Sequence, residues 1–223
     1  MPIRHHCPPP HTYIDWLKSL GCLVYLPLSE NGDLQDKISE VSLQLTGQGS
    51  MVWDNNQMMY KITQPSSGTF NYVAYLNNGL NTSLFPNSNY TSLHKILMVT
   101  NASNKHCTTI SPKSNNGETC MATSATWETT ARTNAFPRTL PYCGYVCNHT
   151  QSNRSWYQNG VQAYTATEYA NYLPSNWVMN GTGITIGCIR SYQNTSVQFY
   201  VGEIYLFNTA LDLATIRTIQ GYA

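Results

Sequence analysis

The sequence has few charged residues and no long apolar run. Asp, Glu, Lys and Arg make up 10% of its 223 residues, against ~25% in an ordinary soluble domain. The net charge of +1 gives no electrostatic attraction toward nucleic acid or an anionic membrane surface. No segment approaches the ~18 consecutive apolar residues of a membrane-spanning helix. We therefore expect no nucleic-acid partner and no membrane span.

The sequence also lacks the motifs of common hydrolases. Glycoside hydrolysis uses two carboxylates a few ångströms apart, yet the densest acidic stretch, residues 30–40, lies in predicted turns rather than along a strand. Neither Gly-x-Ser-x-Gly nor His-Glu-x-x-His occurs, so no nucleophile or zinc motif is present. We expect no enzymatic activity and no catalytic residue. The alternative is a glycosidase whose carboxylates meet only in the folded chain.

The N-terminal segment lacks the apolar core of a secretory signal. Residues 1–10 are rich in proline, and consecutive prolines favour an extended polyproline conformation. We interpret residues 1–10 as an arm that docks into a partner or stays free, and residues 11–223 as one domain. Either a signal has been removed, or the protein leaves its cell without one, as a virion component does.

Seven cysteines are present, so a complete disulfide framework would leave at least one thiol over. Cys22 lies beside a predicted strand, where a buried thiol is expected. Cys143 and Cys147 could pair locally, and Cys107 and Cys120 could close a hairpin, so the pairing stays open. Mostly reduced thiols, as in a protein assembled in a bacterial cytoplasm, are our expectation.

Alternating strands and turn residues fill most of the chain. A short amphipathic helix with Thr12 as its cap and Gly21 as its end precedes them; it packs on the domain itself or docks the arm to a neighbouring subunit. Residues 124–155 show little periodicity and are expected to be irregular. Before this stretch, strands are predicted at residues 23–28, 43–47, 52–53, 58–62, 72–76, 95–100, 107–110 and 120–123.

The last third is the most regular part. Residues 156–161 hold an Asn-Gly hairpin turn, and a short strand follows at residues 184–187. A long strand at residues 198–207 is expected to bulge at Gly202, which would return Ile204 and Leu206 to the core. A closing helix then runs between two caps, Asp212 and Gly221.

This order of hairpin, strand, strand and closing helix resembles the second half of laminin-G-like domains, which belong to the concanavalin A-like jelly-roll group. The opening strand and acidic turn at residues 22–47 are similar to the start of such domains. The resemblance implies an all-β jelly-roll β-sandwich with short N-terminal and C-terminal helices. Most domains of this kind bind a ligand, and a minority are enzymes.

Two kinds of binding site are expected at the rim of the sandwich. Relatives of this group often hold calcium there, and Asn31, Asp33 and Asp36 are the candidate ligands by type, although Asn31 and Asp33 are equally explained as turn formers. No other cofactor is expected. Sugar binding needs aromatic faces beside amides and hydroxyls, and the candidates in loops are Trp127, Tyr142, Tyr145 and Tyr192.

The sequence therefore predicts a non-catalytic binding or adhesion module displayed on a virion or a cell surface. The head would bind glycans or a host surface, and the arm would attach to the virion, such as a phage fibre or capsid, or to sister subunits. A secreted bacterial carbohydrate-binding module is the alternative without catalysis.

Overall fold

The computed structural model describes residues 10–63, 72–80, 84, 90–98, 106–112, 121–124, 142–148, 153–158, 161–166, 183–187 and 198–221. These residues form two antiparallel β-sheets and two short helices. The helices are α1 (Pro10–Ser19) and α2 (Leu213–Gln220). The strands are β1 (Cys22–Leu26), β2 (Gln44–Leu45), β3 (Ser50–Asp54), β4 (Met59–Thr63), β5 (Ala74–Leu76), β6 (Tyr90–Met98), β7 (His106–Pro112), β8 (Met121–Ser124), β9 (Tyr142–Asn148), β10 (Asn153–Gln158), β11 (Val161–Ala166), β12 (Ile184–Ile186) and β13 (Gln198–Phe207).

Strand β13 organises the larger sheet. That sheet has eight strands in the order β11-β10-β9-β6-β13-β4-β3, with β1 also paired to β13, and the second has five in the order β2-β5-β12-β7-β8. The first half of β13 pairs with β4 and its second half with β1, while β6 runs along its other edge. The predicted fold class, a concanavalin A-like jelly-roll β-sandwich with two short helices, is confirmed.

The predicted bulge in β13 keeps the apolar side chains before and after it on the same, inner face of the sheet. The register between β13 and β6 shifts between Val201 and Ile204, around Gly202. Phe199 and Val201 before the shift, and Ile204 and Leu206 after it, all lie in the inner core with no exposed surface. Without the extra residue, the period of two would have sent the second pair to the outer face.

A second apolar cluster lies under the helices. Leu17 of α1 and Ile216 of α2 are fully buried with Phe207 of β13. Asp212 caps α2 by accepting the backbone N–H of Thr215 at 2.7 Å, and this bond lowers the pKa of the Asp212 carboxyl. The burial of Leu17 confirms that the first helix packs on its own domain, which is one of the two predicted interpretations.

Some local expectations are wrong. Helix α1 begins at Pro10, because the fixed φ of proline suits a first helical position, so Thr12 lies inside the helix and does not cap it. Part of the stretch predicted to be irregular forms β9 and the start of β10. Cys143 and Cys147 both lie in β9, about 13 Å apart at ~3.3 Å per residue, so they cannot form a local disulfide.

The remaining expectations about the chain have mixed outcomes. Strands β10 and β11 pair with Gln158 opposite Val161, which confirms the predicted two-residue hairpin. Cys22 is a free, buried thiol, and burial raises its pKa. Neither described helix has the length and apolar character that crossing a bilayer requires. Residues 1–9 of the predicted arm lie outside the described residues.

Candidate functional site

Part of the outer face of the larger sheet carries a row of accessible side chains beyond the cluster that the helices cover. The register places Val52 of β3 opposite Lys61 of β4, and Lys61 opposite Tyr200 of β13. Cross-strand neighbours project from the same face of a sheet. Val52 is 60% exposed, and Lys61 and Tyr200 are half-exposed. The row therefore offers an apolar group, an ammonium and a phenol side by side.

Asp54 fixes the aromatic member of this row. The Tyr200 hydroxyl donates to Asp54 Oδ2 at 2.9 Å, and the backbone N–H groups of Asn56 and Gln57 donate to Oδ1 at 2.8 and 3.2 Å. These hydrogen bonds lower the pKa of the Asp54 carboxyl, and the bond from Tyr200 has the largest effect. The same bond raises the pKa of Tyr200. We name Val52, Asp54, Lys61 and Tyr200 the Tyr200 patch.

The rim beside the patch is held by two aromatic residues. Trp53 donates its indole N–H to Asn55 Oδ1 at 2.9 Å and meets the ring of Tyr60 edge-on at 5.1 Å. The Tyr60 hydroxyl accepts the backbone N–H of Gly32 at 2.6 Å and donates to the carbonyl of Glu30 at 3.1 Å. Trp53 packs against the inner core, and its indole N–H also orders the β3–β4 turn.

Asp36 has a structural role in the same rim. Its carboxylate has no exposed surface. It accepts the backbone N–H groups of Tyr25 at 2.8 Å, Ile38 at 3.1 Å and Ser39 at 3.2 Å, together with the Ser39 hydroxyl. Asn78 Nδ2 lies 3.5 Å from the same carboxylate. Five donors therefore converge on one buried charge, which ties the turn after β1 to the sandwich.

The other two calcium candidates lie nearer the solvent. Asp33 forms an ion pair with Lys37 Nζ at 2.8 Å, and Asn31 is exposed in the turn. Within the described residues, no group of three His, Cys, Asp or Glu side chains is arranged to hold a metal ion. Calcium binding by Asn31, Asp33 and Asp36 stays a prediction.

The predicted sugar-binding residues fall into two groups. Trp127 and Tyr192 lie outside the described residues. Tyr142 and Tyr145 were expected in loops but lie in β9, opposite one half-exposed and one buried position of β6. The backbone of β9 is held by pairing with β6 and β10, which are distant in sequence, so local periodicity missed it. A role for these four residues in binding stays a prediction.

Sequence reasoning missed Tyr200 and Asp54. Tyr200 stands between Phe199 and Val201, which strand alternation places together on one face, so the position of Tyr200 on the opposite face could have been inferred. Its partner could not, because 146 residues separate the two members of the hydrogen bond.

The comparisons with known proteins give information on the fold of this chain. No protein-family model and no curated protein matches this sequence. The chain is similar to a structure of botulinum neurotoxin type C, whose cell entry depends upon interaction with two ganglioside molecules. The TM-score is 0.61 at 15% identity, covering 92% of this chain and 52% of that one.

Two further solved structures give the same result. The binding domain of botulinum neurotoxin DC in complex with rat synaptotagmin II gives a TM-score of 0.60 at 14% identity, covering 90% of this chain and 51% of that one. The same domain in complex with SialylT gives the same four values. The chain spans about half the length of these structures. At this identity the likeness shows the fold, a β-sandwich also found in receptor-binding domains.

Proposed function

We propose that this protein is a non-catalytic binding module whose Tyr200 patch binds glycans. The observation that carries the proposal is the half-exposed Tyr200 ring, held in place by Asp54 beside an exposed apolar side chain and a lysine. The apolar face of a pyranose stacks on such a ring, and its hydroxyls bond to the flanking polar groups. Asp54 would accept a sugar hydroxyl, and Lys61 would donate to a ring or hydroxyl oxygen.

Four carboxylates of the described residues have structural partners, which supports binding rather than catalysis. Asp36 is engaged by five donors, Asp33 by a lysine, Asp212 by the end of a helix and Asp54 by a tyrosine. The hydrogen bonds that Asp54 and Asp212 accept lower the pKa of each of these two carboxyls and so favour the charged form. A glycosidase needs one carboxylic acid that stays protonated near neutral pH, and neither Asp54 nor Asp212 provides it.

The comparisons support the same reading at the level of the fold. The similar structures are binding domains described with gangliosides, SialylT or synaptotagmin II. A β-sandwich of this fold therefore occurs in proteins that are described with such ligands. Because the chain spans about half of those structures, the identity of the ligand does not carry over.

A glycan array with matched variants tests the proposal. Tyr200→Ala removes the stacking surface and should weaken binding by about 1.5–3 kcal/mol, or roughly 10- to 150-fold in Kd. Tyr200→Phe keeps the ring, loses the bond to Asp54 and should lose only a few-fold. Tyr75→Ala, a half-exposed tyrosine of β5 in the other sheet, is the control and should bind as wild type. A chelator arm tests the calcium prediction.

Two results would refute this function. One is a wild-type protein that binds no glycan on a broad array. The other is a Tyr200→Ala variant that folds and binds every ligand with unchanged affinity. Turnover of any polysaccharide by the purified protein would instead favour the glycosidase.

Display on a virion or cell surface is the second part of the proposal. Helix α1 packs onto the sandwich, so residues 1–9 would extend from a fixed point as a docking arm. Removing residues 1–9 should abolish attachment to the particle without changing glycan binding. Normal attachment of this truncated protein would contradict the docking role and would leave the glycan-binding role intact.

A further inference from the structure

Within the described residues, strand β3 ends the larger sheet, and Asp54 at its end is the only charged side chain on this edge strand. In the described part of the chain, no strand lies beyond β3 on that side. Edge strands are commonly blunted by lysine, proline or a bulge. The five residues of β3, Ser-Met-Val-Trp-Asp, contain neither lysine nor proline, and their register with β4 is regular. The central residue, Val52, is 60% exposed.

The sequence of β3 is complementary to itself in antiparallel pairing. If two copies of β3 pair about Val52, the valine of one copy faces the valine of the other. Met51 then faces Trp53, and Ser50 faces Asp54. A hydroxyl opposite a carboxylate can donate a hydrogen bond, and cross-strand apolar pairs are stabilising. The two Asp54 carboxylates lie at opposite ends of the pairing, about 13 Å apart along the strand.

We propose that β3 pairs with β3 of a second copy of this chain, joining two eight-stranded sheets across a two-fold axis at Val52. A second copy fits better than an unrelated peptide because every position of this strand finds a compatible partner in the same strand. The Lys61 side chains, one strand further in, are about 14 Å apart. Charges at that separation are largely screened at physiological ionic strength.

The geometry predicts a weak dimer with a functional consequence. Five residues a side bury much less than the ~1,200 Å² of a stable interface, so association needs a high local concentration. Antiparallel pairing within one sheet keeps the same face outward in both copies. Tyr200 lies two strands in from the edge, which places the two Tyr200 side chains about 24 Å apart on that face. Two sites at fixed separation raise avidity for a multivalent surface.

Site-directed crosslinking tests the pairing. Val52→Cys would place two thiols opposite each other at the two-fold axis, within reach of a disulfide or a short bismaleimide. Met58→Cys is the matched control, because Met58 is 58% exposed and lies outside β3. We expect the Val52→Cys dimer to form at least about tenfold faster than the Met58→Cys dimer. Pairing of β3 brings the two thiols at position 52 together and does not bring together those at position 58. Equal rates would overturn the proposal.

A second measurement does not depend on a new thiol. Sedimentation equilibrium of the wild-type protein up to about 1 mM should show a monomer–dimer equilibrium, because a Kd in the micromolar to millimolar range suits so small an interface. Val52→Lys would place two positive charges opposite each other at the two-fold axis. This variant should therefore be monomeric while keeping a native circular dichroism spectrum. A wild-type protein that stays monomeric at that concentration, or a Val52→Lys variant that dimerises as well as wild type, would refute β3 pairing.

Discussion

A buried histidine makes the stability of this protein sensitive to mild acid. His94 of β6 is 1% exposed and stands opposite Ile204 of the inner core. Its Nε2 lies 2.9 Å from the Ser92 hydroxyl. Burial disfavours the imidazolium and lowers the pKa of His94 from 6.5 to about 3. The folded protein therefore keeps this imidazole neutral over the whole physiological range.

The sign of the effect follows from proton linkage. Below pH 6.5 the unfolded chain takes up a proton on His94, whereas the folded protein does not until about pH 3. The unfolded state therefore binds more protons, and stability falls as the pH falls. At ~1.36 kcal/mol per pH unit, the loss is about 2 kcal/mol between pH 8 and pH 5 and roughly 4 kcal/mol at pH 3. Against a typical total of ~5–15 kcal/mol, this is a large fraction.

The assay is chemical denaturation at pH 8, 6.5 and 5 for wild type and His94→Gln. Glutamine is close in size, can bond to Ser92 and does not titrate. We expect the variant to be less stable at pH 8 but to lack about 2 kcal/mol of the wild-type loss on going to pH 5. The remaining histidines contribute equally to both proteins, so the difference between the two profiles isolates one group. The remaining histidines are His5, His6, His11, His106 and His149.

Two outcomes would refute this reasoning. If wild type loses no stability between pH 8 and pH 5, the imidazole is solvated or already charged in the folded state. If His94→Gln shows the same pH dependence as wild type, another group carries it.

Two pairs of substitutions test the rim and the packing of the strands. Asp36→Ala leaves three partly buried backbone N–H groups without their acceptor and should lower the free energy of unfolding by about 3–5 kcal/mol, whereas Asp33→Asn breaks an ion pair with a partly exposed lysine and should cost at most about 1 kcal/mol. Equal losses in urea titrations would contradict these roles. Gly183→Ala places its Cβ 1.8 Å from a backbone oxygen of β5 and should cost about 3 kcal/mol or more. Gly202→Ala meets only a flexible lysine side chain at 2.9 Å and should cost less than about 1.5 kcal/mol; the reverse order of thermal midpoints would be inconsistent with the packing.

The sequence predicted those elements whose stabilising contacts are local. The limits of β13 match the prediction because alternation and a glycine are both visible along ten residues. Helix α2 matches because Asp212 and Gly221 form its two caps within the helix's own neighbourhood. The β10–β11 hairpin matches because an Asn-Gly pair has a strong turn preference.

Much less of the candidate site could be predicted from the sequence. Tyr142 and Tyr145 were assigned to a loop because the pairing of β9 depends on β6 and β10 rather than on its own pattern. Asp36 was proposed as a calcium ligand from its residue type, and its burial under five donors became visible only in the folded chain. The pairing of Tyr200 with Asp54 required two distant strands to be brought into register.

The sequence by itself determined a weakly charged chain of strands closed by a capped helix, because periodicity, turn chemistry and capping act over a few residues. The tertiary structure decided which polar side chains are buried and which remain accessible on the outer face. That division depends on contacts such as Tyr200 with Asp54, whose members are far apart along the chain. Burial and long-range register are properties of the packed sheets, and no local pattern encodes them.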